Sequence, residues 1–272
     1  MIKGKDIICI SYTTWEGEYT KSTVQLLSLL AKENNVVFIE YPRTVKDLFL
    51  GVLGKIKIPV TRMLGLQKRV QTITADTGAE VKHVVMPAVL PTASVKNTML
   101  LKLFYNWNTN MYRKQVLKIQ KTFGIQKPII LTAFNPVYGL AMIGKLNEHK
   151  NIYYCYDGMD LNRNNQKTID KEKEFCKLVD GIITTSDYLN EQKKRYNRKS
   201  YVVKNGVDFD LFRPYSKKTI GTKAQKKVGY TGSLDYRFDI DLVEYAVNEL
   251  PDVVFEFTGG ILNPKVVDRL KS

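Results

Sequence analysis

Short apolar runs alternate along this chain with segments of helical periodicity. Residues 6–10 (DIICI), 36–40 (VVFIE), 81–86, 128–132 (PIILT), 152–156, 181–185 and 200–203 read as strands. Helical patterns fall between them, over about residues 18–32, 98–122, 139–146, 171–178 and 187–196. The strand runs are continuously apolar rather than alternating, as expected where a sheet is covered on both faces. Strand–helix alternation of this kind predicts an α/β fold: a Rossmann-like, doubly wound parallel sheet.

The pattern breaks over residues 209–227, where Pro214, a Ser-Lys-Lys run and Gly221 mark a linker or exposed loop. It then restarts with a strand at 228–232 (VGYTG), a helix at 239–249, a strand at 253–258 (VVFEFT) and a helix from about Asn263. The expected organisation is one domain over residues 1–206, then a linker and the start of a second Rossmann-like domain over 207–272. That second unit holds two strands, where a Rossmann half is built from about three.

Composition changes the picture in a few places. The 272 residues are 44% apolar and 25% charged, which excludes a disordered, collagen-like or disulfide-stapled chain. The longest charge-free apolar run, residues 84–95, contains Pro87 and Pro91 and falls short of the ~20 residues a membrane span needs. The N-terminus lacks the apolar core of a signal peptide, so a cytoplasmic protein is expected. Cys9, Cys155 and Cys176 lie far apart with no C-x-x-C, and there are only two histidines, His83 and His149. Buried reduced thiols are expected, and zinc chemistry or a Ser-His-Asp triad is disfavoured.

The net charge is +15, and it is concentrated. Residues 43–70 carry +6 and residues 193–227 carry +10, which leaves the remainder at −1. Anionic lipid, nucleotide phosphates and nucleic acid are the partners such segments attract. No helix-turn-helix, zinc-finger or aromatic RNA-binding signature accompanies the charge, so nucleic acid is not expected. In residues 46–69, Leu48, Phe49, Val52, Leu53 and Ile56 fall near helical spacing with lysines beside them. Lys55, Lys57 and Arg62 are the cations of a candidate interfacial element on anionic lipid. A core helix or lid is the alternative, and Gly51, Gly54 and Pro59 weaken the helix. The second basic segment reads as a solvated face.

In open α/β sheets, ligands bind beyond the carboxyl ends of the strands. Four such ends are polar or flexible: residues 11–17 (SYTTWEG), 134–139 (FNPVYG), 156–160 (YDGMD) and 232–239 (GSLDYRFD). An ordinary turn is the alternative for each. Gly17, near a helix start, would let a phosphate or sugar approach backbone N–H groups. Gly232, Ser233 and Arg237 together offer a backbone N–H, a hydroxyl and a guanidinium, a set that suits a diphosphate. There is no G-x-G-x-x-G and no P-loop, which weakens the dinucleotide and nucleoside-triphosphatase readings.

The run VVKNGVDFDLFRP at residues 202–214 resembles the N-G-V-D-x-x-x-F-x-P signature between the two domains of family 4 GT-B glycosyltransferases. VDGIITTSDYLNEQ resembles the strand–helix preceding that signature. IYYCYDGMD resembles the Y-D-x-x-D strand end of teichuronic-acid-type cell-surface polysaccharide transferases. The chain from Ser11 to Pro42 and from Val228 to Gly260 resembles the openings of their two domains.

The resemblance implies transfer of a sugar from a nucleotide-diphosphate sugar to a lipid-linked or polysaccharide acceptor, at the inner face of the membrane. It places the acceptor on the N-terminal domain and the donor on the C-terminal one. Gly17 would then face the donor phosphate, with Asp157 and Asp160 on the acceptor side as catalytic candidates. Gly232, Ser233 and Arg237 would contact the diphosphate. No cofactor or divalent metal is implied, since basic groups and helix ends serve the leaving diphosphate.

Two departures stand out. Ser233 replaces an Arg common in the family, which leaves more to Arg237. The family's late E-x(7)-E pair has no counterpart. Glu244 and Asp252, or Asp241 and Glu249, share its spacing but precede the second strand of the domain. The expectation is a family-like chain cut short at Ser272. The alternative is a noncatalytic or half-site subunit that needs a C-terminal partner chain.

Overall fold

The structure, a computed structural model, describes residues 2–17, 21–93, 95–159, 166–216 and 225–271. The chain divides into two units, Met1–Gly206 and Val207–Ser272. The first runs β1 (Asp6–Ser11), α1 (Ser22–Leu30), β2 (Asn35–Ile39), α2 (Val45–Val52), α3 (Val60–Leu64), β3 (Val70–Thr74) and β4 (Glu80–Val84). It continues through α4 (Thr98–Phe123), β5 (Ile129–Ala133), α5 (Pro136–Met142), β6 (Lys150–Cys155), α6 (Gln166–Leu178), β7 (Gly181–Thr184), α7 (Asp187–Lys194) and β8 (Ser200–Val202).

The strands form one sheet in the order β3-β4-β2-β1-β5-β6-β7-β8. Successive side chains of β1 enter opposite cores, as a strand's two-residue period requires. Ile8 and Ile10 pack with Val37, Ile39 and Ile130 under Tyr112, Val116 and Ile119 of α4. Ile7 and Cys9 pack on the other face with Val36, Phe38, Leu131 and Leu27 of α1. Tyr153, Cys155 and Ile182 carry a third cluster beneath Phe175 and Cys176 of α6. Continuous apolar runs are what this two-sided burial demands, and the Rossmann-like sheet expected from them is present.

Two differences from the sequence reading are physical. The sheet is parallel except at one edge, where β3 pairs antiparallel with β4 through Val70↔Val84 and Thr74↔Glu80. VQTIT in β3 is largely exposed and buries too little to announce itself as a strand. The helix expected at 139–146 instead begins at Pro136, where the fixed φ of proline suits a first helical turn. Gly139 is where α5 comes closest to its neighbours. A Cβ there would sit 2.7 Å from both Phe175 and Thr132. Other helices have ends that the chain encodes locally. Thr44 and Asp47 form a reciprocal capping box on α2, and the Asn97 side chain accepts Leu100 N–H at the start of α4.

The second unit contains α8 (Phe209–Phe212), a single 3-10 turn (Arg213–Tyr215), β9 (Lys226–Thr231), α9 (Ile240–Glu249), β10 (Val253–Thr258) and α10 (Pro264–Lys271). β9 and β10 pair in parallel, Val228 opposite Phe255, with α9 as the crossover. Tyr230, Phe238 and Phe257 pack edge to face, with centroids 5.1 Å and 5.7 Å apart along the row. All six residues of β9 are exposed, and α9 has no buried residue.

Candidate functional site

In the first unit, strand order reverses between β1 and β5. The chain leaves β1 toward β2 and β4, then returns to β5 on its other side. This is the topological switch point, where the loops after neighbouring strands part and leave a crevice. Here the two loops are tied across it. Asn135, buried, donates its Nδ2 to the Ser11 carbonyl at 3.0 Å. Phe134, the first residue after β5, sits at φ 51°. A bulky residue in the left-handed region costs about 1–3 kcal/mol, a strain that persists only where surroundings over-determine it.

The loop after β1 is laced in place. The Ser11 hydroxyl accepts Thr13 N–H at 2.9 Å, and the Thr14 hydroxyl donates to the Glu16 carbonyl at 2.7 Å. Lys21 Nζ donates to that same carbonyl at 2.6 Å and to Thr14 Oγ1 at 3.1 Å. Trp15 N–H donates to Glu40 Oε1 at 2.9 Å. Gly17 is exposed at the end of this loop, ahead of α1 rather than in its first turn.

Glu40 stands just past β2 and is itself buried, with Oε1 2.8 Å from His83 Nε2. Burial alone would raise its carboxyl. The contacts with His83, the Trp15 N–H and the charge of Arg43 outweigh that and hold it below the usual range. Arg62 Nη1 lies 3.4 Å from His83 Nδ1, an arrangement that favours the tautomer with its proton on Nε2, toward Glu40.

That geometry corrects the sequence expectation for Arg62. Its Nη2 donates to the carbonyls of Arg69 and His83, at 2.8 Å and 3.0 Å, and the residue is buried. A guanidinium held by internal acceptors cannot face a bilayer. Lys55 and Lys57 are exposed.

Asp157 follows β6 and is half-buried, its Oδ1 accepting Gly158 N–H at 2.8 Å. Asp160 lies outside the described residues. The three cysteines are free and buried. Burial pushes the Cys155 thiol up to about 12, which leaves it no nucleophilic role at neutral pH.

In the second unit, Gly232, Ser233 and Arg237 lie together in the segment after β9. Gly232 N–H donates to the Thr258 carbonyl at 2.9 Å, and the Ser233 carbonyl accepts the Tyr230 hydroxyl at 3.1 Å. Arg237 is clamped by Asp235, whose carboxylate accepts its Nη2 at 2.6 Å, its Nε at 3.1 Å and its backbone N–H at 2.8 Å. Those contacts with Arg237 hold the Asp235 carboxyl below its usual range. Arg237 therefore offers an oriented ion pair rather than a lone cation.

The sequence reading missed Gly259. It sits at φ 154°, and a Cβ there would fall 1.9 Å from the Gly232 carbonyl oxygen. The loops after β9 and β10 meet at these two glycines, and Leu234 and Gly260 extend the contact through a backbone hydrogen bond of 2.9 Å. Its sequence signal was a Gly-Gly pair directly after a strand.

No protein-family model matches the chain, and no curated protein matches it in sequence. Solved structures do. The apo structure of OtsA aligns over 98% of this chain and 68% of its own, at 10% identity and a TM-score of 0.59. An α,α-trehalose 6-phosphate synthase from Burkholderia multivorans aligns over 99% and 69%, at 11% identity and a TM-score of 0.58. The chain spans about two thirds of the length of the structures it matches. Identities this low speak for the fold, and the fold is the GT-B kind, mixed α/β and Rossmann-like.

Proposed function

We propose that this chain takes part in transfer of a sugar from a nucleotide-diphosphate donor to an acceptor. The observation that carries the reading is the fold. A Rossmann-like sheet and a further β-α-β unit align over nearly the whole chain with a trehalose 6-phosphate synthase. The N-G-V-D segment at the junction of the two units supports it from the sequence side. In this reading the first unit takes the acceptor and the second the donor. Gly232, Ser233 and Arg237 contact the diphosphate, with Asp235 orienting Arg237. Asp157 is the group proposed to take the proton of the acceptor hydroxyl as the new glycosidic bond forms and the diphosphate departs with its electron pair. Transfer is proposed to need no divalent metal.

The acceptor is proposed to be lipid-linked and used at the inner face of the membrane, toward a cell-surface polysaccharide of the teichuronic-acid type. Exposed apolar side chains on α2 and at the start of α4, and the exposed Lys55 and Lys57 that follow α2, support that location.

The test is thermal stability of the 272-residue chain with UDP, GDP and dTDP and their sugars, followed by sugar-nucleotide consumption in the presence of a chelator. One nucleotide is expected to raise the melting temperature, and Arg237→Ala to lose most of that rise. A cooperatively folded protein that no nucleotide shifts would sink the donor assignment. A second reading, a half-site subunit completed by a partner chain, is favoured by one observation: among the described residues the sheet of the second unit has two strands, with β9 exposed throughout. Nucleotide binding without turnover, and turnover on adding a second polypeptide, would support it.

A further inference from the structure

Four aromatic residues stand at the carboxyl ends of four adjacent strands, in spatial order. Tyr41 follows β2, Tyr12 follows β1, Phe134 follows β5 and Tyr156 follows β6. Each ring touches the next. Centroids are 5.0 Å apart for Tyr41 and Tyr12, 5.8 Å for Tyr12 and Phe134, and 4.9 Å for Phe134 and Tyr156. Tyr138 of α5 backs Tyr41 at 6.1 Å. An aromatic row therefore runs unbroken across the switch point.

Its two ends differ. Tyr12 and Tyr41 are 46% and 42% exposed, while Phe134 is buried and Tyr156 half-buried. Exposed tyrosines taken singly need no explanation. These two form a touching pair, and the ring beneath Tyr12 is held there by a backbone in the left-handed region. Among the described residues, the other non-glycine at positive φ is Asn147, a type that tolerates it. The strain is thus placed where the row crosses from β1 to β5.

We infer that this row is a saccharide platform: Tyr12 and Tyr41 receive the C–H face of a pyranose ring of the acceptor. Naming that saccharide the acceptor rests on the sugar-transfer reading. The platform itself rests on ring geometry. Aromatic faces carry negative potential and attract polarised C–H groups. Tyr12 meets Tyr41 at 60° and Phe134 at 86°, so the exposed pair presents no two parallel faces to hold a planar base, and the flatter contact, Phe134 with Tyr156 at 36°, lies at the less exposed end. Exposed tyrosines, unlike an aliphatic strip, keep a hydroxyl beside each face, which suits a sugar better than an acyl chain. Polar side chains follow the row in sequence, Thr13 after Tyr12 and Asp157 after Tyr156.

The test is saturation-transfer NMR on the full chain. The probes are methyl β-D-glucopyranoside and methyl N-acetyl-β-D-glucosaminide at millimolar concentration, with UDP and GDP measured separately. Ring C–H protons of a pyranoside are expected to saturate. A Tyr12→Phe/Tyr41→Phe variant should retain the signal. A Tyr12→Ala/Tyr41→Ala variant should bind at least about fivefold more weakly, the loss expected for two aromatic contacts. Its nucleotide signals should be unchanged.

No saturation of either pyranoside by the wild-type chain overturns the inference. So does undiminished saturation in the alanine variant, or a loss confined to nucleobase protons. Nucleotide binding without pyranoside binding sinks the platform and leaves the transfer reading standing. Pyranoside binding with neither nucleotide binding nor transfer does the reverse.

Discussion

Glu40 is an acid kept charged in a buried position, and that fixes the sign of its contribution to stability. Its carboxyl titrates below the ordinary value of 4.5 because His83, the Trp15 N–H and Arg43 together outweigh the burial that would raise it. A group depressed in the folded state stabilises the protein above its unfolded value and loses that stabilisation as pH falls through the folded value. Glu40→Gln keeps an acceptor for Trp15 N–H but removes the charge. Denaturant melts of the variant should therefore be flatter than wild type below about pH 4.5 and lower than wild type at pH 7. Parallel pH curves would show that the carboxylate carries no such linkage. A buried charge pair lies under the groove between α6 and α7. Lys193 Nζ sits 2.7 Å from Glu172 Oε2, with the Tyr153 hydroxyl donating to Oε1 at 2.7 Å. Removing one partner leaves an uncompensated buried charge, so Lys193→Met should cost about 3–5 kcal/mol in urea unfolding. Lys193→Met with Glu172→Gln should recover part of it. A double variant no more stable than the single would mean that the loss comes from packing rather than charge.

At the scale of elements, α2 and α4 act through what they leave uncovered. Both are fastened to the same segment. Thr44, the cap of α2, pairs with Val89, and Asn108 of α4 exchanges hydrogen bonds of 2.8 Å and 2.9 Å with the Leu90 backbone. Yet α2 has no buried residue and exposes Phe49 and Val52, with Leu53 following them, while α4 opens with Met99, Leu103 and Trp107 exposed. Lys46, Lys55, Lys57, Lys96 and Lys102, close to these side chains in sequence, are exposed. Exposed apolar side chains with lysines near them in sequence are suited to the boundary of an anionic bilayer. The chain should co-sediment with vesicles containing phosphatidylglycerol and not with phosphatidylcholine alone. Lys55→Glu/Lys57→Glu should weaken that binding by at least about tenfold, given roughly 1 kcal/mol for each basic residue near such a surface. Equal binding by the variant and wild type would remove the membrane reading. These elements also show what the sequence made legible. The core strands were readable because two-sided burial writes an unbroken apolar run, and α4 because its apolar spacing, cap and length agree. β3 was not, since an exposed edge strand leaves only polar alternation. Arg62 read as a surface cation because nothing in its neighbourhood announces His83, a partner delivered by β4. The aromatic row was equally hidden, since its order comes from strand pairing, although three of its four loops stood out as polar strand ends.

The two units differ in how much of themselves they bury, and that difference bears on function. In the first, β1, β2, β5 and β6 are covered on both faces by helices. In the second, Leu234 and Val266 are buried apolar residues, while Val228, Leu242, Tyr245 and Leu262 are exposed. Local stability follows buried contacts, so amide exchange should divide along the same line. Protons of β1 and β5 should be the slowest in the molecule, and those of β9 and β10 faster by orders of magnitude. This turns exchange into a readout of donor binding that does not depend on turnover. A nucleotide-diphosphate sugar seated on the glycine loops would tie the ends of β9 and β10 together and add its binding free energy to their protection. Exchange should then slow at residues 232–237 and 259–260 and remain unchanged at Tyr12 and Tyr41, whose proposed ligand is the acceptor. Slowing confined to the first unit would move the donor site there and overturn the roles assigned to Gly232, Ser233 and Arg237. Amides of β9 as slow as those of β1 without any nucleotide would mean that the second unit is stable as it stands, and would remove the ground for a completing partner.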